Sequence, residues 1–96
     1  MPKAYVVARV TVTDPDAYAE YARLAPEAMK IYGAKILARG GRVETLEGAS
    51  RPRNVILEFP SMEAALAYWN SPEYQHARSF RLGAAEFELI AVEGVE

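Results

Sequence analysis

The sequence predicts an α+β fold, one four-stranded antiparallel sheet with helices on a single face. Three observations carry this reading. Stretches of alternating or continuous β-branched and apolar residues recur four times. Two helical stretches open on cap-and-proline signals. The order of these segments is strand, helix, strand, strand, helices, strand. Residues 1–96 are read as a single domain of ordinary small size.

The first strand is Ala4 to Val12. Ala4, Val6, Ala8, Val10 and Val12 point one way, while Tyr5, Val7, Arg9 and Thr11 point the other. Asp14-Pro15-Asp16 then opens a helix: Asp14 caps free amides, Pro15 suits the first helical position, and Asp16 favours the positive helix end. Tyr18, Tyr21, Ala22, Ala25, Met29 and Tyr32 form its apolar stripe, and Gly33 ends it. Pro26 lies inside the stripe, so a bent or broken helix is expected there.

Ala34 to Arg39 reads as the second strand. Gly40-Gly41 is expected to form a bulge, with Arg42 to Glu47 continuing the strand beyond it. After a turn-rich loop, Arg53 to Phe59 is nearly continuous in apolar residues, as a central strand would be. Ser61 caps a helix whose stripe is Met62, Ala65, Leu66 and Trp69. Ser71-Pro72 starts a short third helix with Tyr74, Ala77 and Phe80 inward, and Ala85 to Val92 is the last strand. Two strand–helix–strand crossovers place the helices on one sheet face, the ferredoxin-like βαββαβ arrangement. The bare face would hold Tyr5, Val7, Leu37 and Ile56, too apolar to leave in water, so a homodimer packed sheet to sheet is expected.

Composition excludes several functions. The absence of cysteine rules out disulfides, thiolate metal sites and cysteine nucleophiles. A formal charge of −2 and the small Arg51/Arg53 pair argue against nucleic acid and anionic membranes as partners. Gly40-Gly41 lacks the lysine and following helix of a phosphate loop. No apolar run approaches the length of a membrane span, and no signal core precedes the first strand, so a cytoplasmic protein is expected. One histidine without cysteine neighbours is a poor metal signal; no metal, haem or other cofactor is expected.

The string Tyr32-Gly33-Ala34-Lys35-Ile36-Leu37-Ala38-Arg39-Gly40-Gly41 resembles a known bacterial family, as do Leu46-Glu47-Gly48, Glu58-Phe59-Pro60-Ser61, Trp69-Asn70-Ser71-Pro72-Glu73-Tyr74 and Val92-Glu93-Gly94. From Tyr5 to Gly94 the chain is similar to the domain of unknown function 1330 family, departing from it at Ala34, where members often carry glycine. The resemblance implies the dimeric α/β-barrel superfamily, in which two ferredoxin-like sheets close into a shared barrel. That class includes cofactor-free monooxygenases, isomerases, haem-handling enzymes and ligand-sensing domains. The family carries no established chemistry, so the resemblance assigns no catalytic residue.

The residues themselves offer three places for chemistry. His76 reads as a solvated surface histidine or as a general base. Arg9, Arg39 and Glu58 read as a buried ion pair that fixes dimer register, or as an anion-binding pocket inside the barrel, with Glu58 paired to one of the arginines. Tyr18, Tyr21, Trp69, Tyr74 and Arg81 read as core packing or as an aromatic cleft for a small molecule. Two functions are carried forward. One is a small-molecule binding or catalytic domain, without a cofactor, acting by proton transfer or oxygenation on an aromatic or carbonyl compound. In it Glu58 or His76 moves a proton and Arg9, Arg39, Tyr21, Trp69, Tyr74 and Arg81 hold the ligand. The other is a non-catalytic ligand-sensing or interaction domain.

Overall fold

The computed structural model describes residues 2–95. Strand β1 spans Ala4–Val12, with Ala4, Val6, Ala8 and Val10 buried and the residues between them half-buried, as the alternation requires. Helix α1 spans Pro15–Ile31; the Asp14 carboxylate accepts the Ala17 amide hydrogen at 3.3 Å. The expected break at Pro26 does not occur, because the helix runs through it. Pro26 removes one amide donor, but Ala25, Ala28 and Met29 on either side of it are buried, and that packing outweighs one missing hydrogen bond. The helix closes on Gly33, whose φ of 79° brings the Ala34 amide to the Met29 carbonyl at 2.9 Å.

Strand β2 is only Lys35–Arg39, and β3 is Arg53–Phe59. The expected continuation over Arg42 to Glu47 is absent: the loop from Gly40 to Ser50 forms no strand and is exposed throughout. The bulge lies not at Gly40-Gly41 but at Leu37. Ile36 stands opposite Leu57, and Ala38 already stands opposite Ile56. Gly40, at φ 68°, turns the chain off the sheet after its amide bonds the Asn54 carbonyl at 3.2 Å.

Helices α2 (Met62–Asn70) and α3 (Pro72–Arg81) follow, and strand β4 is Ala85–Glu93. The inward stripe of α2 is Ala65 and Tyr68, whereas Leu66 is exposed and Trp69 half-buried. In α3 Tyr74 and Ala77 point inward as expected, but the third inward residue is Arg81, with Phe80 exposed. The sheet order is β2-β3-β1-β4, all pairs antiparallel. The core lies between the helices and one sheet face. The other face holds Tyr5, Val7 and Ile56, half-buried, together with the exposed Ile90 and Val92.

The anticipated pairing of Glu58 with Arg9 or Arg39 is overturned by the strand register. Glu58 stands opposite Tyr5, whereas Arg9 stands opposite Asn54, four residues along the strand. Lys3, two residues before Tyr5 and on its face, reaches Glu58 instead, at 2.6 Å. Arg9 bonds the Ala49 carbonyl at 2.8 Å and lies 3.7 Å from Glu88.

Candidate functional site

A cavity of about 510 Å³ lies between α1 and the helix-facing side of the sheet. Its floor includes Val6, Ala8, Val10 and Leu57; its roof is Tyr18, Tyr21, Ala25 and Met29 from α1. Tyr68 and Tyr74 close one end. The apolar floor follows from strand alternation, since the cavity occupies the face on which β1 carries small and β-branched residues. Two small residues, Ala8 and Ala25, leave the room that bulkier side chains would fill.

Arg39 and Arg53 supply the charge. Arg53 stands opposite Val10 and so points to the helix face. Arg39 does so only because of the bulge: in a regular β2, Ala38 would share the face of Ile36 and Arg39 would point away. With Leu37 as the extra residue, Arg39 falls opposite Val55 and lines the cavity. The Arg53 Nε donates to the Tyr18 hydroxyl at 3.2 Å. Neither arginine has a carboxylate within salt-bridge range among the described residues. Arg39 is exposed on the edge strand β2, and Arg53 is half-buried on β3 beside it, so both line the cavity from that side of the sheet.

Behind the opposite wall the aromatic groups converge. The Tyr21 and Tyr74 hydroxyls lie 3.0 Å apart, and Arg81 Nη2 donates to the Tyr74 hydroxyl at 3.1 Å. Burial, reinforced by the neighbouring Tyr74 phenol, pushes the Tyr21 phenol far above the ordinary tyrosine range, and burial does the same to Tyr68. Both are neutral phenols at ordinary pH.

Of the residues singled out in the sequence, the cavity collects Tyr18, Tyr21, Tyr74 and Arg39, with Arg81 directly behind Tyr74. Arg9 and Glu58 lie on the opposite sheet face, so the three-residue pocket of Arg9, Arg39 and Glu58 does not form. His76 is exposed on α3, edge-on to the Phe80 ring at 5.3 Å. Trp69 lines a smaller cavity of about 200 Å³ beside β4, with the Arg78 guanidinium over its ring at 5.2 Å. Arg53 and Tyr68 were not among the expected ligand-binding residues. For Arg53 the signal was available: it shares strand parity with the core residues Leu57 and Phe59. Among the described residues no cluster of three His, Asp or Glu side chains could hold a metal, and no helix is long and apolar enough to cross a membrane.

Comparison with known proteins returns structures more than relatives. No curated protein matches the chain. A protein of unknown function from Rhodopseudomonas palustris superposes with a TM-score of 0.79 at 22% identity, over 99% of this chain and 84% of that one. A dimeric ferredoxin-like protein of unknown function from Jannaschia sp. CCS1 gives 0.75 at 16% identity, over 96% and 99% of the two chains. SnoaB, a cofactor-independent oxygenase from Streptomyces nogalater, gives 0.61 at 12% identity, over 100% and 96%. At these identities the likeness shows the ferredoxin-like α+β fold. The family model described as domain of unknown function (DUF1330) matches residues 3–95, and the chain belongs to that family.

Proposed function

We propose that the cavity under α1 binds a small, largely apolar molecule of aromatic size and holds one anionic oxygen of it with Arg39 and Arg53. The observation that carries this reading is the pair of arginines lining an aromatic-walled cavity without a carboxylate partner among the described residues. If the domain is catalytic, the arrangement suits a reaction in which a phenol or enol is held as its anion, the electron-rich form that proton transfer or oxygenation requires. SnoaB, of the same fold, is described as a cofactor-independent oxygenase. The second reading, a ligand-sensing domain, is favoured by one specific observation: no Asp, Glu or His among the described residues lines the cavity, so these walls offer no ordinary proton acceptor.

The test is binding of 1-hydroxy-2-naphthoate, followed by calorimetry, with oxygen uptake recorded in parallel. Arg39→Met and Arg53→Met are each expected to weaken binding about tenfold or more, the loss of a charge-assisted hydrogen bond. Binding that neither change weakens would sink the proposal, and binding without turnover of any phenolic substrate favours the sensing reading.

We further propose that the chain pairs with a second copy through the bare sheet face. Ile90 is 61% and Val92 47% exposed there, and the Jannaschia neighbour is described as dimeric. Light scattering at micromolar concentration should give twice the chain mass; a monomer mass counts against the pairing.

A further inference from the structure

We propose that the helix side of the cavity carries a second polar anchor. The one phenolic hydrogen that Tyr21 and Tyr74 leave unused, backed by the buried Arg81, donates to a carbonyl oxygen of the ligand. This rests on the cavity holding a small molecule, and it adds a carbonyl group to the ligand's description.

A guanidinium only donates, so the Tyr74 oxygen accepts from Arg81 at 3.1 Å. The two phenols own two hydrogens between them, and one occupies the 3.0 Å contact between their oxygens. Whichever phenol donates there, one hydrogen remains. No other acceptor among the described residues takes a hydrogen bond from either hydroxyl. Tyr21 is 8% exposed and Tyr74 1%, yet both line the cavity, so the spare hydrogen has the cavity as its outlet.

Arg81 decides which ligand group is welcome. It is 5% exposed, has no carboxylate in salt-bridge range among the described residues, and its Nε has no hydrogen-bond partner. Its guanidinium carbon lies 3.7 Å from the Phe87 ring centroid and 5.3 Å from that of Tyr21, two rings that face the cavity. A desolvated cation without a counter-charge makes this wall positive, so an oxygen acceptor is favoured there and an amine is repelled. Arg81 does not line the cavity; it is a positioning residue that acts through Tyr74. Since burial holds the Tyr21 phenol neutral, the donor persists across the ordinary pH range.

The test uses two neutral compounds of one shape, 1-indanone with a carbonyl and indane without, so that Arg39 and Arg53 play no part in the comparison. Their affinities are measured by protein NMR titration for the unaltered chain, for Tyr21→Phe with Tyr74→Phe, and for the same pair combined with Arg81→Met. The third protein lacks the guanidinium that the double change leaves unmatched, and it serves if the double variant does not fold. The preference for indanone over indane should fall about tenfold in both altered proteins, as expected for loss of one buried hydrogen bond. A preference within about twofold of the unaltered chain overturns the anchor while leaving the cavity reading intact. An unaltered chain that binds 1-hydroxy-2-naphthoate but neither neutral compound overturns the anchor alone, and one that binds none of the three overturns both.

Discussion

Glu58 is held by Lys3 across the end of the sheet, Oε1 to Nζ at 2.6 Å, with Lys35 directly opposite Glu58 on the next strand. The hydrogen bond and charge of Lys3 lower the Glu58 carboxyl below its ordinary value of 4.5, and the same contact raises the Lys3 ammonium. A lowered carboxyl contributes stability that is complete above the ordinary carboxylate range and is lost as pH falls through the folded value. A raised ammonium contributes stability below its ordinary value that is lost only at still higher pH. Lys3→Met should therefore move the Glu58 midpoint upward in a carbon-detected NMR titration and remove part of the acid dependence of unfolding. An unchanged midpoint would show that the pair is absent in solution.

The route of Glu58 to Lys3 shows what kind of information a sequence lacks. Strand parity was legible: Leu57 and Phe59 face the helices and Glu58 faces away. Register was not, because parity gives the face and not the partner, and shifting one strand by two residues leaves every face unchanged. Helix α2 failed differently. It is apolar on nearly all sides, so Tyr68 and Trp69 competed for the inward position with no polar face to break the tie. Arg81 was legible only as a charge at the end of α3. Its burial follows from the aromatic faces of Phe87 and Tyr21, which come from other elements. The site was thus readable where it rests on strand alternation and helical spacing, and unreadable where it rests on a bulge or a tertiary stack.

The bulge at Leu37 gives a direct test of how Arg39 reaches the cavity. Deleting Leu37 regularises β2 but keeps Ile36 opposite Leu57, Ala38 opposite Ile56 and Arg39 opposite Val55. Inserting one alanine between Ala38 and Arg39 instead moves Arg39 to the far face. The deletion should keep 1-hydroxy-2-naphthoate affinity within about threefold, whereas the insertion should cost about tenfold, as does loss of the Arg39 charge. Equal losses in the two proteins would mean that sheet register does not aim Arg39.

Ser71 joins two helices with one hydroxyl. Its Oγ donates to the Tyr68 carbonyl at 2.7 Å and accepts the Tyr74 amide hydrogen at 3.0 Å, with the residue 3% exposed. Removal leaves the buried Tyr74 amide at the start of α3 unsatisfied, while the Tyr68 carbonyl loses one of two donors and keeps the Ser71 amide at 3.2 Å. Ser71→Ala should cost about 2 kcal/mol, near the upper end for a cap. Asp14→Ala, at an exposed cap whose hydrogen bond is 3.3 Å, should cost less, about 0.5–1 kcal/mol. Urea denaturation of the two variants checks the ranking, and Asp14→Ala proving the costlier would refute the argument from burial.

Arg81 sets stability against recognition. Its guanidinium loses its hydration on burial and recovers one hydrogen bond to Tyr74 and two aromatic faces, with no opposite charge among the described residues. Stacked cations return about 2 kcal/mol when desolvated, whereas burying an ion costs several. Arg81→Met fills the same space with an apolar chain, so it should leave the fold equally stable or up to about 3 kcal/mol more stable in urea at neutral pH. Alkaline titration supplies the second half. Tyr21 and Tyr68 have folded values raised above their ordinary 10.0, so their contribution to stability is complete below that pH and declines as pH rises above it, where only the unfolded chain ionises. Tyrosinate absorbance from these two residues should accordingly appear together with the loss of helical circular dichroism, and not before it. A fold weakened at neutral pH by more than about 1 kcal/mol in Arg81→Met would show that the aromatic stack outweighs the burial of the charge, and that this cation is a structural element first.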